Sequence, residues 1–205
     1  MNPPTAKLLA ISQGDPAGIG PEIIIKALAT DQALSQRCVV YGDIALFRPI
    51  ADQLRLPVPA HFKVSTHLRN KPIESGIESA SSGEHAYQAI VAAARSVLAG
   101  ETNALVTAPV SKQALNMAGH SYPGHTELLA ELAGDCEVRM MLANDELRVI
   151  LVTVHEPLAQ AIASLNTQRI LQTLRIAASS LQQWLGRAPQ LAVAGVNPHA
   201  GEGGL

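Results

Sequence analysis

The residues best suited to chemistry are three histidines beside loops or strand ends. His125 lies in a Gly-His-Thr-Glu segment at a predicted helix start, and His155 and His199 each follow an apolar run that is predicted to be a strand. Histidine in such a place can ligate a metal or transfer a proton, although each one alone could be a hydrogen-bonded structural residue. We expect His155 and His199 to lie close together at neighbouring strand ends. The remaining histidines are predicted to lie on the surface: His61, His67, His85 and His120.

His199 lies in a glycine-rich segment, residues 197–204. Pro198 restricts both its own backbone and that of Asn197, so His199 extends from a stiff base. Functional sites in α/β proteins collect at the loops that follow strands. The segment is therefore interpreted either as a ligand-binding loop or as a glycine turn with a solvent-facing histidine.

A second glycine loop, residues 13–22, connects a predicted strand to a predicted helix. This arrangement can bind an anion at the helix N-terminus. It does not match the dinucleotide fingerprint, however, because Ile23 occupies the position of the third glycine. Asp15 would also repel a phosphate. We therefore expect the loop to shape the active-site cleft rather than to bind a pyrophosphate, and Asp15 is a candidate site residue on that basis.

Lys112 is a further candidate, because it follows a predicted strand end at residues 107–109. Its ammonium could bind a phosphate or carboxylate as a point charge. The alternative is a solvated lysine in the first turn of a helix.

Composition limits the classes of protein that this chain can represent. It has 205 residues, of which 47% are hydrophobic and only 3% aromatic, as is typical of a parallel sheet covered by helices. A net charge of −2 gives no reason to expect nucleic acid or a membrane surface as a partner. The sequence contains no bilayer-spanning apolar run and no signal-peptide pattern, so we expect a cytoplasmic protein. Cys38 and Cys136 are predicted to be buried small residues rather than a disulfide.

The order of predicted elements indicates an α/β fold with two parts. Residues 1–119 form a first α/β domain with a mostly parallel sheet, and residues 120–205 form a second one with a hairpin. The predicted strands are 8–12, 37–42, 62–64, 104–109, 138–142, 147–154 and 191–196. The predicted helices are 23–29, 43–53, 83–98, 110–118, 128–132, a short one after 157, and 167–185, with a loop over 73–83.

Five segments in order, spread over residues 8–204, resemble the motifs of the 4-hydroxythreonine-4-phosphate dehydrogenase family of pyridoxal phosphate biosynthesis. They are residues 14–22, 107–112, 124–127, 153–155 and 197–204. The resemblance implies a fold similar to isocitrate and isopropylmalate dehydrogenases, with two α/β subdomains and a mixed sheet. It also implies that the chain is truncated at the C-terminus, and that NAD or NADP binds without a Rossmann fingerprint.

The same resemblance implies roles for individual residues. His125 and Thr126 would contact the substrate, and His155 and His199 would be two of three histidine ligands to a divalent metal (Zn, Mg or Co) at a homodimer interface. The reaction would be metal-dependent oxidation of 4-phosphooxy-L-threonine to a 3-oxo acid, which decarboxylates to 3-amino-2-oxopropyl phosphate. The alternative substrates are 4-phospho-D-threonate and 4-phospho-D-erythronate. The alternative class is an inactive fragment that only folds and dimerises, and we expect no dehydrogenase activity from these 205 residues alone.

Overall fold

The computed structural model describes residues 8–64, 73–122 and 124–203. The chain divides into two compact units, Met1–Cys136 and Glu137–Leu205. The predicted domain boundary near 118–124 lies inside the first unit. The structural division comes later because the helix that follows this boundary packs on the first unit. His67 lies outside the described residues.

The first unit is built on a four-stranded sheet in which all neighbouring strands are parallel. Its strand order is β3-β2-β1-β4. This arrangement confirms the predicted α/β class. The strands are β1 (Leu9–Ser12), β2 (Cys38–Gly42), β3 (Phe62–Val64) and β4 (Ala104–Thr107).

In the described ranges of this unit, six helices accompany the sheet: α1 (Gly20–Thr30), α2 (Gln32–Gln36), α3 (Ile44–Leu54), α4 (Ala80–Leu98), α5 (Lys112–Met117) and α6 (His125–Leu132). The side chain of Asp43 accepts a hydrogen bond from the Ala45 N–H, so Asp43 caps α3 as predicted. The predicted loop at 73–83 is shorter than expected, because Ser79 and Ser82 form a reciprocal cap that starts α4 at Ala80.

The two faces of the sheet bury different side chains, because successive residues of a strand point to opposite sides. Ile11 and Val40 pack with Phe47 and the isoleucines of α1. Ala10 and Tyr41 pack with Ala93 of α4 on the other face. Small residues dominate the buried face of α4, and this lets the helix lie close to its neighbours.

The second unit contains the predicted hairpin, formed by β5 (Met141–Ala143) and β6 (Arg148–Ile150) in antiparallel register. Asn144 closes the turn, because its side-chain oxygen accepts hydrogen bonds from the N–H groups of Glu146 and Leu147 at 2.9 and 2.6 Å. Two helices follow, α7 (Leu158–Ser164) and the predicted long α8 (Thr167–Leu185).

The strand predicted over residues 191–196 is wrong, because these residues have no strand structure. An apolar run becomes a strand only when a neighbouring strand pairs with its backbone, and among the residues described in this unit β6 pairs with β5 alone. Residues 189–194 instead line a cavity of 750 Å³ together with β6 and α8. The strand predicted over 147–154 is also shorter than expected, since β6 ends at Ile150.

Cys38 is buried as predicted, but Cys136 is exposed, and both are free thiols. His85, predicted on the surface, is 2% exposed on α4. In the described part of the chain, no helix combines the length and apolar character needed to cross a bilayer.

The contact between α4 and α5 depends on Gly83. A Cβ atom at Gly83 would lie 1.9 Å from the carbonyl oxygen of Ala114, so a larger residue must push the two helices apart. Alanine normally stabilises a helix interior relative to glycine by about 1 kcal/mol. We expect Gly83→Ala to destabilise the chain instead, by about 1–3 kcal/mol, in urea unfolding.

The matched control for this substitution is Gly18→Ala, because a Cβ atom there meets only ordinary contacts at 3.5 Å. We expect Gly18→Ala to change the free energy of unfolding by less than about 0.5 kcal/mol. A stabilised Gly83→Ala protein would show that the helices can separate without cost.

Candidate functional site

The candidate site of the first unit lies where β1 and β4 end. After β1, the next strands along the chain, β2 and β3, are added on one side of β1, and β4 is then added on its other side. The direction in which strands are added to the sheet therefore reverses between β1 and β4. Ligands of open α/β sheets bind outside the carboxyl ends of strands at such a point. Here the loops are joined directly, because the Asp15 N–H donates to the Pro109 carbonyl oxygen at 2.9 Å.

These two loops enclose a cavity of 270 Å³, together with a segment that precedes α4. The Ser111 hydroxyl in this cavity donates to the Glu78 carboxylate. Asp15 is 5% exposed, and its Oδ1 accepts the Ala17 N–H at 2.8 Å. One oxygen of the predicted site residue Asp15 therefore supports the loop itself.

The glycines of residues 14–20 are required by contacts within the protein. Gly14 has a φ of +73°, and a Cβ atom there would lie 2.4 Å from the Pro109 carbonyl oxygen. A Cβ atom at Gly20 would lie 2.3 Å from the Gln13 carbonyl oxygen. These contacts within the protein are sufficient to explain the glycines at both positions.

Lys112 and His125 lie within electrostatic reach of each other. His125 is half-buried at the start of α6, and its Nε2 atom is enclosed without a hydrogen-bond partner among the described residues. Burial lowers the pKa of His125, and the positive charge of Lys112 lowers it further. The imidazole is therefore neutral at pH 7. Lys112 and Thr126 are exposed beside it, so the chain presents an ammonium, a neutral imidazole and a hydroxyl in this region.

His120, predicted on the surface, is instead held against α4. Its Nε2 atom lies 2.6 Å from Oε2 of Glu84, and its ring stacks on Tyr87 with centroids 3.5 Å apart. Burial alone would raise the pKa of Glu84, but hydrogen bonds from Gln88 and His120 lower it overall. Sequence spacing could not reveal this cluster, because 36 residues separate Glu84 from His120.

The predicted metal ligands His155 and His199 both belong to the second unit, and both are exposed. His155 has a left-handed backbone with φ +55°, an uncommon conformation for a residue other than glycine. Glu202 is the side chain beside His199, with its Oε1 atom 2.9 Å from Nδ1. The described ranges contain no group of three or more His, Cys, Asp or Glu side chains placed to hold a metal ion.

Residues 26–205 match the model of a family described as pyridoxal phosphate biosynthetic protein PdxA. The chain is 42% identical to a 4-hydroxythreonine-4-phosphate dehydrogenase of Geobacter metallireducens, over 99% of this chain and 65% of the relative. It is 40% identical to a D-threonate 4-phosphate dehydrogenase of Pectobacterium atrosepticum, over 98% of this chain and 67% of the relative.

Solved structures give the same result. The chain superposes on a 4-hydroxythreonine-4-phosphate dehydrogenase of Klebsiella pneumoniae with a TM-score of 0.89 and 38% identity. That match covers 98% of this chain and 66% of the solved one. The chain thus spans about 65% of the length of the first curated relative that it matches.

The lowered pKa of His125 predicts a pH-dependent stability. The unfolded chain holds this proton more tightly, so the contribution of His125 is complete above its ordinary pKa of 6.5 and is lost as the pH falls through the lower folded value. We expect the urea midpoint of the unchanged chain to fall more steeply than that of His125→Gln between about pH 8 and about pH 5.

The exposed His61 supplies the control for this measurement. His61→Gln should keep the steep pH dependence of the unchanged chain. Parallel pH curves for His125→Gln and the unchanged chain would contradict the burial of a neutral imidazole.

Proposed function

Because the chain belongs to the pyridoxal phosphate biosynthetic protein PdxA family, we propose that it carries the substrate-binding residues of a dehydrogenase acting on a phosphorylated hydroxy acid. The proposed substrate is 4-hydroxythreonine 4-phosphate, and the proposed reaction is its NAD- or NADP-dependent oxidation to a 3-oxo acid that loses carbon dioxide. The observation that carries the proposal is that Lys112, which follows the last residue lining the cavity at the sheet-order reversal, lies within electrostatic reach of His125, and Thr126 comes next in the same helix. The dehydrogenase name of the 42% identical relative supports it.

Each of the three side chains suits a group of such a substrate. The ammonium of Lys112 attracts a phosphate or a carboxylate as a point charge. The neutral imidazole of His125 has an Nε2 atom without a hydrogen-bond partner among the described residues. This atom is enclosed in the structure, so it can exchange a hydrogen bond with a substrate oxygen only after a local movement uncovers it. The hydroxyl of Thr126 can donate or accept. Together they can bind an anionic polyhydroxylated acid without using an acidic residue.

A second candidate substrate is D-threonate 4-phosphate, because a relative of 40% identity carries that name. The two substrates differ at C2, which bears an amino group in one and a hydroxyl group in the other. Lys112, His125 and Thr126 suit the groups that both substrates share. We therefore propose the class of phosphorylated four-carbon hydroxy acids and place 4-hydroxythreonine 4-phosphate first within it.

The glycine loop of residues 14–20 lacks the third glycine of the dinucleotide fingerprint, and Gly14 and Gly20 are accounted for by contacts with the backbone of Pro109 and Gln13. A dinucleotide would therefore bind through other residues. An isocitrate dehydrogenase-like arrangement of two subdomains, which binds NAD or NADP without a Rossmann fingerprint, is the fold that we propose on this basis.

We also propose that His155 and His199 are ligands to a divalent metal. Imidazole is a common ligand of zinc and cobalt, and the left-handed backbone of His155 is a conformation that tends to occur at functional sites. A catalytic metal normally has three protein ligands. The described residues do not fit a complete site of this kind, so the two histidines account for only part of the proposed coordination.

The second unit is proposed to form the main contact of a homodimer. Leu142 and Leu147 on its hairpin are 60% and 62% exposed. We expect a dimer in sedimentation velocity at micromolar concentration, and we expect Leu142→Asp with Leu147→Asp to shift it to monomer, because two buried charges destabilise an apolar contact. Leu98→Asp, at a leucine of the first unit that is 59% exposed, is the matched control. A monomeric unchanged chain would exclude this contact.

Binding and turnover measurements test the proposed function. Calorimetry should detect 4-hydroxythreonine 4-phosphate or D-threonate 4-phosphate but not unphosphorylated 4-hydroxythreonine, and formation of reduced nicotinamide tests the oxidation. We expect Lys112→Ala to weaken binding of the phosphorylated acid by about tenfold to a hundredfold, because a hydrogen bond to a charged group is lost.

Lys26→Ala is the matched control, since Lys26 is an exposed lysine of the same unit paired with Glu22. It should leave the dissociation constant unchanged. Equal affinity for 4-hydroxythreonine and its 4-phosphate ester would contradict the proposed substrate class, and unchanged affinity in Lys112→Ala would remove Lys112 from the site.

A further inference from the structure

The segment that leads into His125 is attached to α4 rather than capped by its own residues. Gly124 occupies the N-cap position of α6, and no side chain makes a capping hydrogen bond there. Uncapped helix starts are poorly fixed unless tertiary contacts hold them. Among the described residues, Leu128 is buried in the unit, the Tyr122 hydroxyl is hydrogen-bonded to Glu131, and His120 contacts α4.

The ring of His120 packs on a polar and aromatic face of α4. Glu84, Tyr87 and Gln88 share one helix face, because residues three and four apart are neighbours. Gln88 donates to Oε1 of Glu84 at 2.8 Å, while Oε2 contacts His120 at 2.6 Å. Tyr87 covers the ring with an interplanar angle of 9°. Both carboxylate oxygens and the ring face are therefore engaged.

We propose that Glu84 is a positioning residue, which acts through His120 to hold His125 and Thr126 beside Lys112. Its relevance to substrate binding rests on the proposed function, whereas the placement of His125 does not. Four residues lie between His120 and His125, so a ring fixed on α4 limits the freedom of the chain that enters α6.

This face of α4 is separate from the face that stabilises the unit. The core of the unit uses Ala86, Ala89 and Ala93, which are buried. Glu84 and His120 retain 26% and 21% exposure of their side chains. Loss of the pair should therefore loosen the entry to α6 without removing the core contacts of α4.

The test compares Glu84→Ala with Glu101→Ala in the whole chain. Glu101 forms an ion pair with Lys63 in the same unit, also at 2.6 Å, so it is a matched control for the loss of a paired carboxylate. The readout is the NMR titration of the His125 ring, assigned by its absence in His125→Gln. We expect Glu84→Ala to raise the midpoint of His125 toward about 6.5, because a loosened ring is better solvated.

Glu84→Gln is expected to shift the His125 midpoint less than Glu84→Ala does, since its amide oxygen can still accept a hydrogen bond from His120. His120→Phe is a second disrupting variant, because it keeps the stacking on Tyr87 and removes the bond to Glu84. It should reproduce the shift if Glu84→Ala does not fold. A His125 midpoint that stays at its unchanged value in the folded disrupting variants would overturn the proposal, and so would an equal shift in Glu101→Ala.

Substrate binding separates this proposal from the proposed function. Glu84→Ala should weaken binding of 4-hydroxythreonine 4-phosphate by about tenfold and Glu101→Ala should not. If the His125 midpoint shifts but the unchanged chain binds no phosphorylated hydroxy acid, the positioning role stands and the proposed function fails. If the unchanged chain binds the ligand but the midpoint does not shift, the proposed function stands and the positioning role fails.

Discussion

The close approach of the loops after β1 and β4 is the constraint on which the first unit depends. The hydrogen bond from the Asp15 N–H to the Pro109 carbonyl oxygen joins the two loops at 2.9 Å. It can form only because Gly14 adopts a positive φ and has no side chain to strike that same oxygen. The cavity at the sheet edge and the start of α5, with Lys112, are both placed by this contact.

The same contact helps to explain why the loop of residues 13–22 is rich in glycine. A strand, a glycine loop and a helix are typical of phosphate sites, and the missing third glycine at Ile23 was the reason to predict a different role. The structure supplies the physical reason for the glycines that are present: Gly14 and Gly20 approach the backbone of Pro109 and Gln13. That reason could not be read from the sequence, because Pro109 lies far along the chain.

Local signals predicted most of the first unit. Hydrophobic runs located β1 to β4, and Asp43 located the start of α3, because these features depend on residues close in sequence. Three predictions that depended on a distant partner were wrong. His85 and His120 are covered by tertiary packing, and residues 191–196 have the composition of a strand but no pairing neighbour in the second unit. Of the candidate site residues, Lys112 and His125 come together through packing that no local pattern encodes.

A single turn of α4 contacts both α5 and the chain that leads into α6. Gly83 sets the distance to α5, which begins at Lys112, because any side chain there would meet the backbone of Ala114. The next residue, Glu84, contacts the chain that leads to His125. Two adjacent residues of one helix therefore contact α5 and the chain that leads into α6. Because α4 also packs on β1, β2 and β4, the core of the unit and its candidate site depend on the same helix.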